Sequence, residues 1–267
     1  MAKKKSKRTI VGVPLTPVLL AELGAADKFS PAPKDFQPEG SRVQKYRIWT
    51  CHGYRESGNQ SVGFLRIDRA SADREGSFAL RVERKVVQTD GLVHATTAKI
   101  TCLSDQTTSP IEWRLSSLFT GPEGKVRPEL GSVESGKISG GVMTVTRSKR
   151  KFTRDVSDKL TCNWCLFEAV QKLGFGAGRE LAFDLLDGLS VLKTGHRLNY
   201  AGSERVALGE TQVNLHRFTQ IGRGVLPTNY WLDEAHRVLF VCSMNKAYIL
   251  DDDAGKVIER NIRQIRR

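Results

Sequence analysis

From Val43 onward the dominant pattern along the chain is an alternation of apolar and polar residues. Tyr46-Arg-Ile48-Trp-Thr-Cys51, Gly63-Phe-Leu-Arg-Ile67 and Phe78-Ala-Leu80-Arg-Val82-Glu83 all follow it. A period of two is what a half-buried antiparallel strand produces, with one face on a core and the other in water. Asp90-Gly91 separates residues 82–88 from 92–103, and Asp-Gly between two such runs is a strong hairpin signal. Further strands are predicted over 111–118, 137–146, 197–200, 210–221, 229–232, 238–243 and 247–250. Gly140-Gly141 falls inside the second of these and predicts a bulge or bend there.

One stretch has a helical period instead. Residues 164–173 place Leu166, Phe167, Val170 and Leu173 on one face, with Thr161 as a candidate N-cap and Gly174 as a natural stop. Residues 178–189 fit either period: Leu181, Phe183 and Leu185 alternate, whereas Leu181, Leu185 and Leu189 share a helical face. No repeat of constant length is visible, which disfavours solenoids and propellers. Many short strands with glycine-rich turns and one helix predict a mainly β (α+β) fold. The expected architecture is a curved antiparallel sheet or open barrel with the amphipathic helix, about 164–173, packed on it.

Composition fits this picture. At 267 residues, 39% hydrophobic and 27% charged, the chain can bury a sizeable core and is not compositionally disordered. No run approaches the roughly 18–20 apolar residues of a membrane-spanning helix. The net charge of +13 suggests nucleic acid until its placement is considered. Lys3, Lys4, Lys5, Lys7 and Arg8 hold +5, residues 256–267 hold +4, and residues 9–255 carry only +4. The internal basic cluster is Arg147, Lys149, Arg150, Lys151 and Arg154, and its expected place is a solvated loop or an edge strand, where charge blocks edge-to-edge pairing. Nucleic acid is therefore not the expected partner, although the basic segments keep it as an alternative.

The expected organisation is a possible export signal or basic arm over 1–26, a Pro-rich linker over 27–41, a single β-rich domain over 42–255 and a basic tail over 256–267. The first 26 residues have the layout of a secretory signal: a basic head, an apolar run from Ile10 to Ala21, and the small residues Gly24, Ala25 and Ala26. Ser6-Lys-Arg-Thr-Ile-Val11 is similar to a twin-arginine export motif with Lys in place of the first arginine. Pro14, Pro17 and Glu22 depart from the pattern, and the alternative is a basic arm followed by a segment that packs on the domain of a cytoplasmic protein.

The sharpest chemical motif is Cys162-Asn-Trp-Cys165 at the start of the predicted helix, where a helix dipole would favour a thiolate. No strand of a βαβ unit precedes it, and no second Cys pair or His pair completes a zinc site. The preferred reading is that Cys165 packs like a small apolar residue and Cys162 sits near the helix cap, with a redox or zinc pair as the alternative. Five cysteines, an odd number, give no disulfide framework. His52, His94, His196, His216 and His236 lack metal-ligand spacing, and no Gly-x-Ser-x-Gly elbow is present. Gly174-Phe-Gly176-Ala-Gly178 lacks the Lys-Ser/Thr of a phosphate loop and reads as a turn. Asp251-Asp-Asp253 reads as a polar hairpin turn, and Trp49, Trp113, Trp164 and Trp231 as core residues. No catalytic residue, cofactor or metal is expected.

The last strands carry a family likeness. Gly224-Val-Leu-Pro-Thr-Asn-Tyr-Trp-Leu-Asp-Glu-Ala-His-Arg-Val-Leu239, continuing to Tyr248-Ile-Leu250, resembles uncharacterised bacterial exported domains similar to lipoprotein-carrier half-barrels. Gln60-Ser-Val-Gly63 and the strand after it fit their early hairpin. The resemblance covers about two fifths of the chain. It implies a curved sheet with a concave apolar face under a helix, and no catalytic residues. Strand alternation without a catalytic cluster makes the expected function non-catalytic binding of an apolar ligand or a protein partner on the curved sheet of an exported, periplasmic protein.

Overall fold

A computed structural model describes residues 14–27, 29–50 and 61–266. Its strands are β1 (Arg42–Thr50), β2 (Ser61–Arg69), β3 (Ser77–Val87), β4 (Val93–Leu103), β5 (Pro110–Thr120), β6 (Ser132–Ser139), β7 (Val142–Arg147) and β8 (Arg150–Asp155). They continue as β9 (Leu160–Cys162), β10 (Glu180–Asp187), β11 (Val191–Leu208), β12 (Thr211–Ile221), β13 (Thr228–Leu232), β14 (Val238–Ser243) and β15 (Lys246–Leu250). Three α-helices accompany them: α1 (Pro17–Glu22), α2 (Cys165–Ala169) and α3 (Ala254–Ile265).

All fifteen strands belong to one sheet in the order β8-β7-β6-β5-β4-β3-β2-β1-β15-β14-β13-β12-β11-β10-β9. It is two antiparallel meanders joined where β1 pairs β15, with Tyr46 opposite Leu250. The edge strands β8 and β9 are neighbours in sequence, so the sheet curls into a barrel that stays open along one seam. Only β9 runs parallel to its neighbour, β10.

The alternation places two apolar layers. The concave layer takes Ile48, Leu65, Ile67, Leu80, Ile100, Phe218 and Tyr230 from strands on both sides of the β1–β15 join. It is filled from within by α2, whose Phe167 meets the rings of Tyr46, Tyr248 and Tyr230 edge-on at 5.1, 5.7 and 6.1 Å. The amphipathic helix expected over 164–173 is therefore α2 followed by one 3-10 turn, Val170–Lys172, and the strands wrap around it. The convex layer gathers Trp49, Val206, Leu215, Trp231, Phe240 and Ile249. Tyr230 and Trp231, adjacent in sequence, enter opposite layers, as a period of two requires.

Several elements differ from the sequence reading. Residues 137–146 are two strands, because Gly140 and Gly141 adopt φ of 57° and 75° and make a two-residue hairpin turn instead of a bulge. Residues 178–189 resolve into β10, with Leu181, Phe183 and Leu185 buried. The strand expected over 197–200 is the middle of β11, an 18-residue strand whose many polar residues hid its length. Asp251–Asp253 leads into a helix: Asp253 N–H donates to Asp251 Oδ1 at 2.9 Å, and α3 begins at Ala254.

The segments nearest both ends of the described residues are built into the fold. Within the segment read as a basic tail, α3 buries Ile258 and Ile262 beside Ala254 against β1 and β2, its Glu259 pairs with Lys85 of β3 at 2.6 Å, and its basic residues lie on the other faces. At the other end, Thr16 accepts a hydrogen bond from the Leu19 N–H at 3.2 Å, and Pro17 opens α1 at the position where its missing N–H costs nothing. Leu15, Leu20, Ala25 and Ala26 are buried in the convex layer. Among the described residues, no helix is long and apolar enough to cross a membrane.

Candidate functional site

Three groups of residues combine unusual chemistry with defined geometry: the thiols at the start of α2, a polar cluster at its other end, and the open edge of the sheet.

Cys162 ends β9 and Cys165 begins α2, so the motif lies in the concave core and not at a solvent-facing helix start. Their sulfurs are 3.0 Å apart, and Cys102 of β4 adds a third, 3.7 Å from Cys165 Sγ. All three are fully buried, and burial pushes the Cys162 and Cys165 thiols well above the ordinary range. A neutral, sealed thiol is a poor nucleophile and a poor metal ligand. Among the described residues no set of three or more His, Cys, Asp or Glu side chains can hold a metal ion. Cys102 and Cys242 could each join the pair from a strand as far as the sequence goes, and a lone cysteine on an alternating strand does not say which one does. Cys242 lies buried on the convex side, and Cys51 lies outside the described residues.

Glu168 of α2 is 2% exposed and receives Arg42 Nη2 at 2.5 Å and Arg69 Nε at 3.3 Å. Burial raises its pKa against the pull of both guanidiniums. Arg42 donates to the Gly40 carbonyl at 3.2 Å, and Arg69 to the same carbonyl at 3.1 Å. Gln171 donates to Gln44 Oε1 at 3.2 Å. The cluster ties α2 and the incoming segment before β1 to the first two strands. An unpaired charge buried here would be costly, so every partner is structural first.

The histidines are likewise embedded. Phe175 is sandwiched between His216 at 3.7 Å and His236 at 4.0 Å, both rings nearly parallel to it. Burial lowers the pKa of both histidines. Tyr200 Oη and His216 Nδ1 share a hydrogen bond of 3.0 Å. This stack pins the turn over 174–178, the segment that resembled a phosphate loop. His94 stacks on Phe119 at 4.2 Å, while His196 is buried near Gly222; His52 lies outside the described residues. Trp49, Trp113 and Trp231 are core residues, and Trp164 is half-buried against the core.

The basic cluster falls on the open edge. Arg147 ends β7, Lys149 sits in the two-residue turn, and Arg150, Lys151 and Arg154 lie on β8, whose six residues are all exposed. Arg147 crosses the seam: its guanidinium pairs with buried Glu134 at 2.5 Å and donates to Ser190 Oγ at 3.0 Å. Beside this bridge lies a groove of about 390 Å³ floored by Met143 and Val145 and walled by Phe152, Arg154 and Val191. Phe152 is 57% exposed and Val191 55%. Neither stood out in the sequence: Phe152 is one apolar residue among polar neighbours, and Val191 lies just past a stretch that fits either period. A second groove, on the convex face of β2–β5, mixes Arg66, Arg81, Lys99 and Arg114 with Asp68 and Glu83, and Arg66 pairs with Asp68 at 2.7 Å.

No family description and no curated protein matches the chain. Among solved structures, it is similar to a β-barrel-like protein of a domain of unknown function, DUF1849, from Brucella abortus. The TM-score is 0.47 and the identity 11%, over 80% of this chain and 99% of that one.

Proposed function

We propose that this protein is a non-catalytic, exported binding domain that recognises a protein partner along the seam of its open barrel. The observation that carries this is the contrast between the two edge strands. The three residues of β9 are buried, whereas β8 lies open beside an apolar groove. The reactive residue types elsewhere support it: among the described residues the thiols are sealed and the histidines and buried charges are engaged in packing.

The likeness to lipoprotein carriers suggested an apolar ligand on the concave face. With Phe167 and the rest of α2 occupying that face, the partner version of the reading is the better supported. Export rests on the layout of the first 26 residues, and it would have to leave residues 14–26 on the folded domain. Leu15 and Leu20 are part of the convex core, so cleavage after Ala26 would strip that layer.

Thiol titration of the native protein with an aromatic disulfide reagent is the test. Cys102, Cys162, Cys165 and Cys242 are expected to react only after denaturant is added. Rapid stoichiometric reaction of Cys162 or Cys165 in the native state would overturn the non-catalytic reading in favour of thiol chemistry.

A further inference from the structure

The seam has a chemistry specific enough to name what it binds, on the reading above that it is the binding edge. Strand β8 pairs with β7 on one side only. The hairpin between them closes on Ser148 and Lys149, both left-handed at φ 47° and 68°. In such a hairpin, directly bonded pairs alternate with unbonded ones, starting at the turn. The bonded pairs are therefore Arg147 with Arg150, Val145 with Phe152 and Met143 with Arg154. The Val156 N–H, which donates to the Gly141 carbonyl at 2.9 Å, continues the same alternation. It follows that the backbone N–H and C=O groups of Lys151, Thr153 and Asp155 face away from the sheet, along the seam.

Side chains sort by the same alternation. Arg150, Phe152 and Arg154 share the inner side with Val145 and Met143, where the groove opens. Lys151 and Thr153 stand on the outer side. An added strand would thus meet a row of free backbone groups, an apolar floor, and basic side chains on both of its faces. Segment 147–155 holds five basic residues and one acidic residue, Asp155. A second copy's β8 would bring the same positive charge against it, which is how natural edges resist self-pairing. Nucleic acid would satisfy the charge but leave the backbone row and the apolar floor unused.

We propose that β8 receives an extended acidic segment of a partner protein by strand addition. In that segment Asp or Glu alternates with Val, Ile or Leu. The partner's backbone bonds Lys151, Thr153 and Asp155. Its apolar residues enter the groove over Met143, Val145 and Phe152, and its carboxylates, on the opposite face, meet Lys151 within the positive field of Arg150 and Arg154. This is β-augmentation, in which the main chain supplies affinity and alternate side chains supply specificity.

The test is fluorescence anisotropy with the full chain and a fluorescein-labelled octapeptide of alternating Glu and Val. Three comparison probes are the same peptide N-methylated on alternate amides, its Lys-Val counterpart, and a single-stranded oligonucleotide of matched charge. Thr153→Pro removes one outward N–H without touching charge or floor, and edge strands tolerate proline. It is expected to weaken binding of the Glu-Val peptide by about tenfold or more. Arg150→Glu with Arg154→Glu is expected to do the same and to flatten the salt dependence. Both variants change exposed residues, and an unchanged melting temperature confirms that they fold. The proposal is overturned if the Glu-Val peptide does not bind at millimolar concentration, or if N-methylation or Thr153→Pro leaves affinity unchanged. Tighter binding of the oligonucleotide than of the peptide also overturns it. Silent thiols with no peptide binding would sink this proposal and leave the non-catalytic reading standing.

Discussion

Phe167→Ala puts the plugged barrel to a direct test. Phe167 projects from α2 into the concave core, is 4% exposed, and meets the rings of Tyr46, Tyr248 and Tyr230 edge-on. Truncation removes a buried ring from a site whose walls are strands of a continuous sheet, which can relax only slightly. Core Phe→Ala changes cost about 3–5 kcal/mol, and the three aromatic contacts, each worth about 0.5–1.5 kcal/mol, place this one toward the upper end. At about 2–4 °C per kcal/mol for a domain of this size class, the melting temperature should fall by roughly 6–20 °C. Calorimetry, together with denaturant titration followed by tryptophan fluorescence, measures both quantities. The vacated space is lined by aromatic and aliphatic groups, so it should stay dry and accept a small apolar molecule. Benzene is therefore expected to raise the melting temperature of the variant and not of the parent. A loss below about 1 kcal/mol would refute the assignment of Phe167 as the barrel's filler. So would a parent protein that gains as much stability from benzene as the variant does.

Other predictions follow from single positions. A Cβ on Gly136 would lie 2.1 Å from Trp113 Cζ2 and 2.3 Å from its Cε2, so Gly136→Ala must displace a buried indole and should cost about 1–3 kcal/mol. Gly255→Ala, in the first turn of α3 with nothing within 4 Å, should instead stabilise by about 0.5 kcal/mol, and equal signs in denaturant titration would count against both. Burial holds the pKa of His216 and His236 below their unfolded value of about 6.5. The unfolded chain then binds more protons below that pH, so the stability these histidines contribute is complete above about pH 6.5 and is lost on acidification. His216→Gln with His236→Gln should flatten the stability difference between pH 7 and pH 5.5, and an unaltered slope would refute the cause.

The β-rich character, most strand positions, the hairpin at Asp90-Gly91 and the core places of Trp49, Trp113 and Trp231 were legible in the sequence, because a half-buried strand writes its burial pattern directly into alternate residues. The placement of the basic cluster at an edge was legible too, since charge there has a local reason. Less readable were elements whose burial comes from contacts distant in sequence. Residues 14–26 read as a signal because an apolar run behind a basic head has that layout, and α3 as a tail because of its basic residues; only the finished sheet offers faces for Leu20 and Ile258. The long β11 was obscured by polar residues, and its pairing with β10 and β12 defines it. Cys102 joins Cys162 and Cys165 only when β4 curves around α2, and Glu168 finds Arg42 and Arg69 in the same way. The seam is the clearest case. Sequence alone marks Arg147–Arg154 as charged, but whether β8 is covered depends on where the far end of the sheet stops. That position is set by the accumulated twist and curl of fifteen strands, which no local stretch of the chain encodes.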